Sequence, residues 1–343
     1  MCAMSGGVDS SVAAHLLVEA GHDVVGVTLK LWGGESDTGC CSVSDVDDAR
    51  RVAQQIGIDH LVFNFSDDFG AHVVEPYVRD HARGSTPNPC IECNRSVKFS
   101  RLAERADLLG FDAVATGHHA SIGRSADGTL TLERGHDATK DQSYVVHMLD
   151  QRDLARTMFP VGSMDKSEVR ARAVAIGLRT AGKPDSQDVC FITSTHGRRS
   201  FLGERIPLRS GTVVDTSGST VGAVESVEMV TVGQRRGLGL GGGPKRYVVD
   251  VDVDERVVTV GAADDLVRTG LVVADVGWVD EPVVGAVRVQ CSAHGRAAPG
   301  WATHVDGRVH VEWARPRPRV APGQSVVLYD ESDRRVLGGG TCT

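Results

Sequence analysis

The chain has 343 residues, enough for two or three domains, and its 41% hydrophobic content is that of a soluble protein with sizeable cores. No run approaches the roughly 18 apolar residues of a membrane span, and residues 1–3 lack the features of a signal peptide. A formal charge of −8 excludes a global attraction to nucleic acid, so any RNA binding must be local. We therefore expect a cytoplasmic protein without membrane association.

A glycine motif, Met-Ser-Gly-Gly-Val-Asp-Ser at residues 4–10, directly precedes a helical pattern that starts at Ser11. Adjacent glycines let backbone N–H groups approach an anion, and the helix N-terminus points its positive end at the same place. No Gly-Lys-Ser/Thr sequence follows, which excludes a Walker loop. The motif resembles the pyrophosphate loop of enzymes that split ATP between its α and β phosphates. A Gly-Gly turn that merely starts a helix is the alternative.

Apolar runs alternate with helical patterns over the first 180 residues or so. Strands are predicted at 24–31, 61–65 and 113–116, and helices at 45–56, 97–109 and from the capping box Asp165-Lys166-Ser167-Glu168 to about Gly177. This alternation predicts a doubly wound parallel sheet. Only four residues precede the Ser-Gly-Gly sequence of this motif, where a strand of about five or six residues is wanted, so we expect a translation start upstream of Met1 or a curtailed first strand.

Beyond about Arg198 the sequence changes to valine-rich alternating segments. Strands are predicted at 227–232, 247–253, 257–260, 309–313 and 325–329, with a hairpin turn at Asp306-Gly307. The glycine-rich run 237–243 is interpreted as a loop, because Pro244 follows where a helix would begin. We expect an ATP-binding catalytic domain at 1–198, a small β-rich domain at 199–265 and a C-terminal β-barrel at 266–343.

The chain has eight cysteines and no secretory signal, which favours reduced thiols with metal, redox or catalytic roles. Cys90 and Cys93 form a Cys-x-x-Cys pair on what we expect to be a proline-stiffened loop before the 97–109 helix. A thiol near a helix N-terminus has its pKa lowered toward the reactive thiolate. Cys190 lies in a polar, turn-forming context, with a small buried hydrophobe as the alternative reading.

These motifs together are similar, nearly end to end, to those of the bacterial tRNA-specific 2-thiouridylase family. The resemblance rests on segments that occur in the family's order, namely residues 4–10, 41–42, 48–53, 86–94, 115–118, 140–144, 159–162, 185–191, 233–237 and 322–325. The family resemblance implies an α/β pyrophosphate-loop domain, of the adenine nucleotide alpha hydrolase type, followed by two small mainly-β domains, the last a β-barrel.

The resemblance also implies a reaction, the ATP-dependent 2-thiolation of the wobble uridine in tRNAs for glutamate, glutamine and lysine. ATP with Mg²⁺ would adenylate the C2 oxygen, and a persulfide on Cys190 would then attack the adenylated carbon, releasing AMP. Cys93 would be the second thiol, which either frees sulfur from the persulfide or closes a transient disulfide with Cys190. A cysteine desulfurase or a sulfur-relay protein would supply the sulfur.

Individual site residues follow from the same resemblance. ATP would be bound by Ala3, Met4, Ser5, Gly6, Gly7, Val8, Asp9, Ser10, Leu29 and Gly117. The tRNA would be contacted by Asn88, Pro89, Cys90, His118, Lys140, Asp141, Gln142 and Gln324. For His118 alone, a structural histidine is the alternative reading.

Cys90 departs from the family pattern, because some members have aspartate at this position. Cys90, Cys93 and Cys190 could then converge to hold an iron–sulfur cluster or a zinc ion. Two other functions stay open at this point. One is a pyrophosphate-loop enzyme that adenylates a carbonyl and delivers ammonia, and the other is an RNA-binding protein with a vestigial nucleotide site.

Overall fold

The computed structural model describes residues 1–32, 43–185, 189–192, 197–241 and 243–343. Its strands are β1 (Cys2–Ala3), β2 (Val25–Lys30), β3 (Asp59–Asn64), β4 (Val114–Ala115), β5 (Ala120–Arg124), β6 (Leu130–Arg134), β7 (Thr157–Met158), β8 (Gly211–Asp215), β9 (Thr220–Val224), β10 (Tyr247–Asp252), β11 (Val257–Gly261), β12 (Val267–Trp278), β13 (Gly285–Gln290), β14 (Ala298–Val305), β15 (Arg308–Pro318), β16 (Ser325–Tyr329) and β17 (Arg335–Cys342).

The α-helices described are α1 (Val8–Glu19), α2 (Val43–Ile56), α3 (Ser66–Phe69), α4 (Glu75–Ala82), α5 (Pro89–Glu92), α6 (Leu102–Leu108), α7 (Gln151–Leu154), α8 (Lys166–Ala175) and α9 (Gly197–Gly203). Two π-helical segments lie at Gly70–Val74 and Cys93–Arg101, and 3₁₀ turns lie at Ser143–Val145, Val227–Met229 and Asp264–Leu266. No helix in the described part of the chain is both long enough and apolar enough to cross a membrane.

The chain divides into two compact units. The first unit contains Met1–Val74, Pro89–Thr195 and Arg334–Val336, and the second contains Glu75–Asn88, His196–Asp333 and Leu337–Thr343. The short C-terminal piece of the first unit adds a strand to its β5–β6 hairpin, because Arg335 pairs with Glu133 and Val336 with Leu132.

The first unit is built on a parallel sheet with strand order β3-β2-β1-β4-β7. Helices α1, α2 and α8 share one apolar core, formed by residues such as Val12, Val52 and Val169, all of which are fully buried. This confirms the predicted parallel α/β architecture, and its first strand is curtailed to two residues. Strand order runs outward from β1 to β3 and then resumes on the other side of β1, so the topological switch point lies between β1 and β4.

The second unit contains two β structures. A four-stranded sheet has the order β10-β11-β8-β9, and strands β12-β15-β14-β13-β16-β17 close into a barrel through the β12–β17 pairing. The barrel core is apolar and includes Val326 and Leu328, both fully buried. The predicted strands at 247–253, 257–260, 309–313 and 325–329 are confirmed, as is the hairpin turn, where Asp306 and Gly307 have φ of 50° and 75°.

The predicted strand at 227–232 is wrong. Residues Val227–Met229 form a 3₁₀ turn, and Val227 and Val230 are buried three residues apart. Glu228 between them is also buried, where its carboxylate accepts a 2.8 Å hydrogen bond from Arg209 Nε. Adjacent residues Val227 and Glu228 are both buried. This run therefore lacks the alternation of buried and exposed residues that a half-exposed strand shows.

Candidate active site

The switch point of the first unit brings the glycine motif beside Gly117. Met4 directly follows β1, where its N–H donates to Val27 O at 2.8 Å, and Gly117 lies two residues after β4. A β-carbon at Gly117 would lie 2.6 Å from Ser10 N, so only glycine allows this approach. Open parallel sheets bind ligands at such a crevice, beyond the carboxyl ends of the strands.

The glycine motif is shaped as an anion site. Gly6 has φ of 73°, and a β-carbon there would overlap the backbone carbonyl of Asp45. Gly7 is the N-cap residue of α1, and no side chain caps the first turn of this helix as the structure describes it. Ser10 instead turns inward, with its Oγ accepting from Ser5 N at 3.1 Å. The uncapped N–H groups of the first turn are therefore available to a phosphate.

Asp9, in the first turn of α1, meets a buried lysine. Lys166 Nζ donates to Asp9 Oδ1 at 2.7 Å and to Oδ2 at 2.6 Å, and His119 Nε2 lies 3.2 Å from Oδ1. Burial by itself raises the pKa of Asp9, but the hydrogen bonds with His119 and Lys166 outweigh it and hold the pKa below its usual value. Asp9 is therefore an ionised group within the glycine motif.

A second carboxylate, Asp185, is surrounded by three cations. Lys166 Nζ and Arg170 Nη2 each lie 2.8 Å from its Oδ1, and Lys140 Nζ lies 2.8 Å from its Oδ2. Burial opposes ionisation of Asp185, but Lys140 and Lys166 outweigh it and lower its pKa to about 2. We call Asp185, Lys140, Lys166 and Arg170 the Asp185 cluster. Through Lys166 this cluster is joined to Asp9 of the glycine motif.

A further lysine, Lys183, binds the backbone of the glycine motif at Gly6. Lys183 Nζ donates to Gly6 O at 3.0 Å and to Asp48 Oδ2 at 2.8 Å, and it also bonds Asp45. Burial lowers the pKa of Lys183, but Asp45 and Asp48 reverse this effect and the net shift is upward. Leu29, the residue expected beside the adenine, is buried near the carboxyl end of β2.

The two cysteines of the Cys-x-x-Cys pair lie on helix, which corrects the predicted loop. Pro89 begins α5, Cys90 follows it and is exposed, and Cys93 opens the π-helical segment and is buried. A proline is well suited to the first position of a helix, where its missing N–H is not needed. Helical spacing also pairs Glu92 with Arg95 Nη1 at 3.1 Å.

Cys190 is half-buried and lies five residues after Asp185. Its neighbour Phe191 is buried against Trp32 and Phe69, with ring centroids 6.2 and 5.7 Å away. In sequence, Cys190 therefore lies between Asp185, which makes ion pairs, and Phe191, which packs against aromatic rings. In the described part of the chain, no three His, Cys, Asp or Glu side chains are placed to hold a metal ion. Cys90, Cys93 and Cys190 thus do not fit an iron–sulfur cluster or zinc in this arrangement.

Two of the residues expected to contact tRNA, Asp141 and Gln142, have internal partners. Asp141 accepts from Gly135 N and Ser143 N at 2.9 and 3.0 Å and from Arg134. The Gln142 side chain accepts from His119 N at 2.9 Å. These contacts order the segment next to Lys140, and a direct contact of Asp141 or Gln142 with tRNA stays a prediction.

His118 is buried between aromatic rings. Phe99 and Phe159 have ring centroids 5.8 and 6.0 Å from its ring, and Nδ1 lies 2.7 Å from Thr116 Oγ1. Burial, with a smaller contribution from Lys98, lowers the pKa of His118 to about 3. His118 is therefore neutral at physiological pH, and its contact with tRNA stays a prediction.

The second unit holds two more of the predicted tRNA contacts, Asn88 and Gln324. Gln324 Nε2 donates to Thr86 O, and Thr86 N donates to Pro322 O at 2.8 Å. These bonds fasten the chain just before Asn88 to the turn that precedes β16.

Sequence reasoning missed Lys166 and Arg170 as site residues. A signal for Lys166 was present, because it is the first residue of α8 and a cation is disfavoured at a helix N-terminus. The capping box of this helix was predicted and is present, formed by Asp165 and Glu168. A lysine inside such a box requires nearby carboxylates, which the fold provides as Asp9 and Asp185.

Comparison with known proteins assigns each part of the chain to a class. Residues 1–194 match the family model described as a tRNA methyl transferase HUP domain. Residues 199–262 match a tRNA methyl transferase PRC-barrel domain, and residues 268–342 an aminomethyltransferase β-barrel domain. The class is thus a HUP domain followed by a PRC-barrel domain and a β-barrel domain, which confirms the predicted α/β domain with two small mainly-β domains after it, the last a β-barrel.

Full-length relatives define the family more narrowly. The tRNA-specific 2-thiouridylase MnmA of Herpetosiphon aurantiacus is 45% identical over 348 residues, which cover 99% of this chain and 97% of that protein. The protein of the same name from Chloroflexus aggregans is 46% identical with the same coverage. The chain belongs to the tRNA-specific 2-thiouridylase family.

Among solved structures, the U34-tRNA thiolase NcsA from Methanococcus maripaludis with its 4Fe-4S cluster matches at 19% identity and a TM-score of 0.37. The match covers 59% of this chain and 62% of that one.

Proposed function

We propose that this enzyme uses ATP to convert the wobble uridine of tRNAs for glutamate, glutamine and lysine into 2-thiouridine. Family membership supports the sulfur transfer to tRNA. The observation that carries the ATP step is the uncapped first turn of α1 at the switch point, with Gly117 in close approach. This crevice offers backbone donors and a helix dipole to a phosphate chain, which is bound as its Mg²⁺ complex.

Attachment of AMP to the C2 oxygen would overcome the low reactivity of the base. The C2 carbonyl of uracil is a poor electrophile, and its oxygen is a poor leaving group. In the proposed first step the C2 oxygen attacks the α-phosphorus, pyrophosphate leaves, and C2 now carries AMP as its leaving group. The N–H groups of residues 7–10 would hold the phosphates as charge develops on the departing pyrophosphate.

Sulfur transfer is assigned to Cys190 and Cys93. The terminal sulfur of a Cys190 persulfide, delivered by a desulfurase or relay protein, attacks C2 and AMP leaves. The Cys93 thiolate then attacks Cys190 Sγ and the Sγ–S bond breaks, which releases 2-thiouridine. Alternatively Cys93 attacks Cys190 Sγ beforehand, which releases hydrosulfide as the nucleophile for C2. Either route leaves a Cys93–Cys190 disulfide that an external thiol must reduce. Thiol exchange requires Cα atoms roughly 4.4–6.8 Å apart, so we expect the segment around Cys90–Cys93 or that around Cys190 to move during turnover.

The test is nucleoside mass spectrometry of unmodified glutamate tRNA after incubation with the enzyme, ATP, Mg²⁺ and a persulfide donor. We expect 2-thiouridine, and its loss in Cys190→Ala while tRNA-dependent AMP formation persists. Cys291→Ala is the matched control, because burial raises the pKa of the Cys291 thiol to about 12.

Two results would contradict the proposal. AMP formation with no 2-thiouridine would assign the activated tRNA to another nucleophile, such as ammonia. Absence of both products would leave a protein that binds RNA without the proposed chemistry.

A further inference from the structure

Three aromatic rings, which the proposed mechanism does not use, form a cluster next to Cys190 in the first unit. Phe191 directly follows Cys190, and its ring centroid lies 6.2 Å from that of Trp32 and 5.7 Å from that of Phe69. The centroids of Trp32 and Phe69 are 6.3 Å apart, so each ring contacts the other two. We call Trp32, Phe69 and Phe191 the aromatic cluster.

The parallel sheet brings this cluster to its ligand-binding edge. Trp32 lies two residues beyond the carboxyl end of β2, and the glycine motif follows the carboxyl end of the neighbouring strand β1. Phe69 ends α3, the short helix after β3, where its N–H donates to Phe65 O at 2.8 Å. Because β1, β2 and β3 are adjacent and parallel, the glycine motif, Trp32 and Phe69 all lie at the edge where such sheets bind ligands.

The cluster is connected to both segments that carry the predicted catalytic thiols. Asp68, the neighbour of Phe69 in α3, has its Oδ1 2.8 Å from Nε of Arg101. Arg101 ends the π-helical segment that Cys93 opens. Phe191 supplies the connection to Cys190, because the two residues are adjacent in the chain. A planar substrate that approaches these thiols therefore comes close to the aromatic cluster.

Trp32 is the member of the cluster that is open to a ligand. Phe69 and Phe191 have 0% and 2% of their surfaces exposed, whereas Trp32 is partly exposed. The indole plane makes angles of 67° with Phe69 and 49° with Phe191, so neither ring is stacked parallel to it. A nucleobase does stack parallel to an aromatic side chain, and this contact contributes much of the affinity for unpaired bases.

We propose that Trp32 stacks on the uracil of the wobble uridine and holds the base beside Cys190. This inference rests on the proposed function. A base that leaves the tRNA stack loses its neighbours, and an aromatic ring replaces them. The adenine of ATP need not approach the sulfur carrier, whereas C2 of the uracil must do so. Contacts with Phe69 and Phe191 restrict the indole, so Trp32 fixes the plane of the base as well as adding affinity.

The experiment compares two forms of the anticodon stem–loop of glutamate tRNA, one with uridine at the wobble position and one with an abasic ribose there. Both RNAs carry fluorescein, and their dissociation constants are measured by fluorescence anisotropy with the magnesium complex of α,β-methylene ATP present. The ratio of the two constants, abasic over uridine, measures the contribution of the wobble base. A variant that is partly unfolded weakens both constants equally, so the ratio isolates the contact with the base.

In the wild type we expect a ratio of about tenfold or more, and Trp32→Leu should lower this ratio at least fivefold. Trp32→Phe keeps a ring for stacking and should lower the ratio less than Trp32→Leu does. Trp301→Leu is the matched control, because it makes the same substitution at a tryptophan of β14 that is 53% exposed. Its ratio should stay within twofold of the wild type.

The outcomes separate this inference from the proposed function. A ratio in Trp32→Leu within twofold of the wild type would overturn the stacking role, as would a wild-type ratio near one. If Trp32→Leu instead weakens nucleotide binding in equilibrium dialysis and leaves the ratio unchanged, Trp32 contacts adenine and the inference is wrong. In each of these cases the proposed function stands as long as the wild type forms 2-thiouridine. If the wild type forms none, the proposed function fails and the role of Trp32 in it fails as well.

Discussion

The pyrophosphate-loop region of the first unit and the β-barrel of the second unit are stabilised in different ways. Around the loop, buried or half-buried ionisable groups such as Asp9, Lys166 and Asp185 face one another. The barrel core is made of valines, two alanines, Leu328, Trp313 and Cys342. Buried ion pairs add little net stability over apolar packing. Their concentration in one region therefore indicates a function, whereas the barrel core indicates a scaffold.

Glycine is used differently in the two regions as well. Gly6 and Gly117 lie so close to neighbouring backbone that a β-carbon would clash, and both are near the first turn of α1, where we propose that ATP binds. In the barrel, Gly338 and Gly340 of β17 lie against the backbone of β12, where a β-carbon would clash. Those glycines allow the barrel to close, and no ligand is needed to explain them.

The largest effect is expected from Gly6→Ala. A β-carbon there overlaps the carbonyl of Asp45, and φ of 73° strains any residue other than glycine. The loop must shift, and a displacement of about 1 Å at a reacting group can cost roughly 100-fold in rate. We expect tRNA-dependent AMP formation, measured by chromatography, to fall by about that factor.

Gly21→Ala is the control for backbone strain alone. Gly21 has φ of 84° but no atom within 4 Å of an added β-carbon. It should lower the free energy of unfolding by about 1–2 kcal/mol and leave AMP formation unchanged. Equal losses of AMP formation in the two variants would mean that backbone strain, and not the overlap with Asp45, explains the effect at Gly6.

In the barrel, Leu328→Ala is expected to lower the free energy of unfolding by about 2–5 kcal/mol, because Leu328 is fully buried in a packed core. ATP affinity of the folded protein should not change, since the proposed nucleotide site lies in the first unit. Chemical denaturation and equilibrium dialysis measure the two quantities. Val305→Ala, at a valine that is 47% exposed, should change stability by less than about 0.5 kcal/mol. A weaker ATP affinity in Leu328→Ala would mean that the barrel core also supports nucleotide binding, which contradicts its interpretation as a scaffold.

Sequence patterns predicted the regular elements well, because their periodicity is local. The helix at Val43–Ile56 and the strands at Val25–Lys30 and Ser325–Tyr329 lie within two residues of their predicted bounds. The error at 227–232 has a long-range cause, since the buried pair of Glu228 with Arg209 cannot be read from valine spacing.

The candidate site was only partly predictable, for the same reason. The pyrophosphate loop is contiguous, so its motif is visible in seven residues. The Asp185 cluster joins residues 140, 166, 170 and 185 to Asp9, and no local pattern connects them. The predicted contacts with ATP and tRNA, the two catalytic cysteines and the three domain boundaries stay predictions. Cys41 and Cys40 lie outside the described residues.

The smallest expected effect concerns His118, which follows Gly117 at the functional edge of the sheet. Burial lowers its pKa to about 3 in the folded protein, against about 6.5 in an unfolded chain. Between these values the unfolded chain binds a proton that the folded protein does not, so stability falls as the pH drops below about 6.5. In His118→Gln we expect the slope of unfolding free energy against pH, measured from pH 5 to 6, to decrease by about 1 kcal/mol per pH unit. His22→Gln, a substitution at an exposed histidine, is the matched control. An unchanged slope in His118→Gln would mean that the folded protein protonates His118 readily, and this functional edge would then carry a titratable cation beside the nucleotide site.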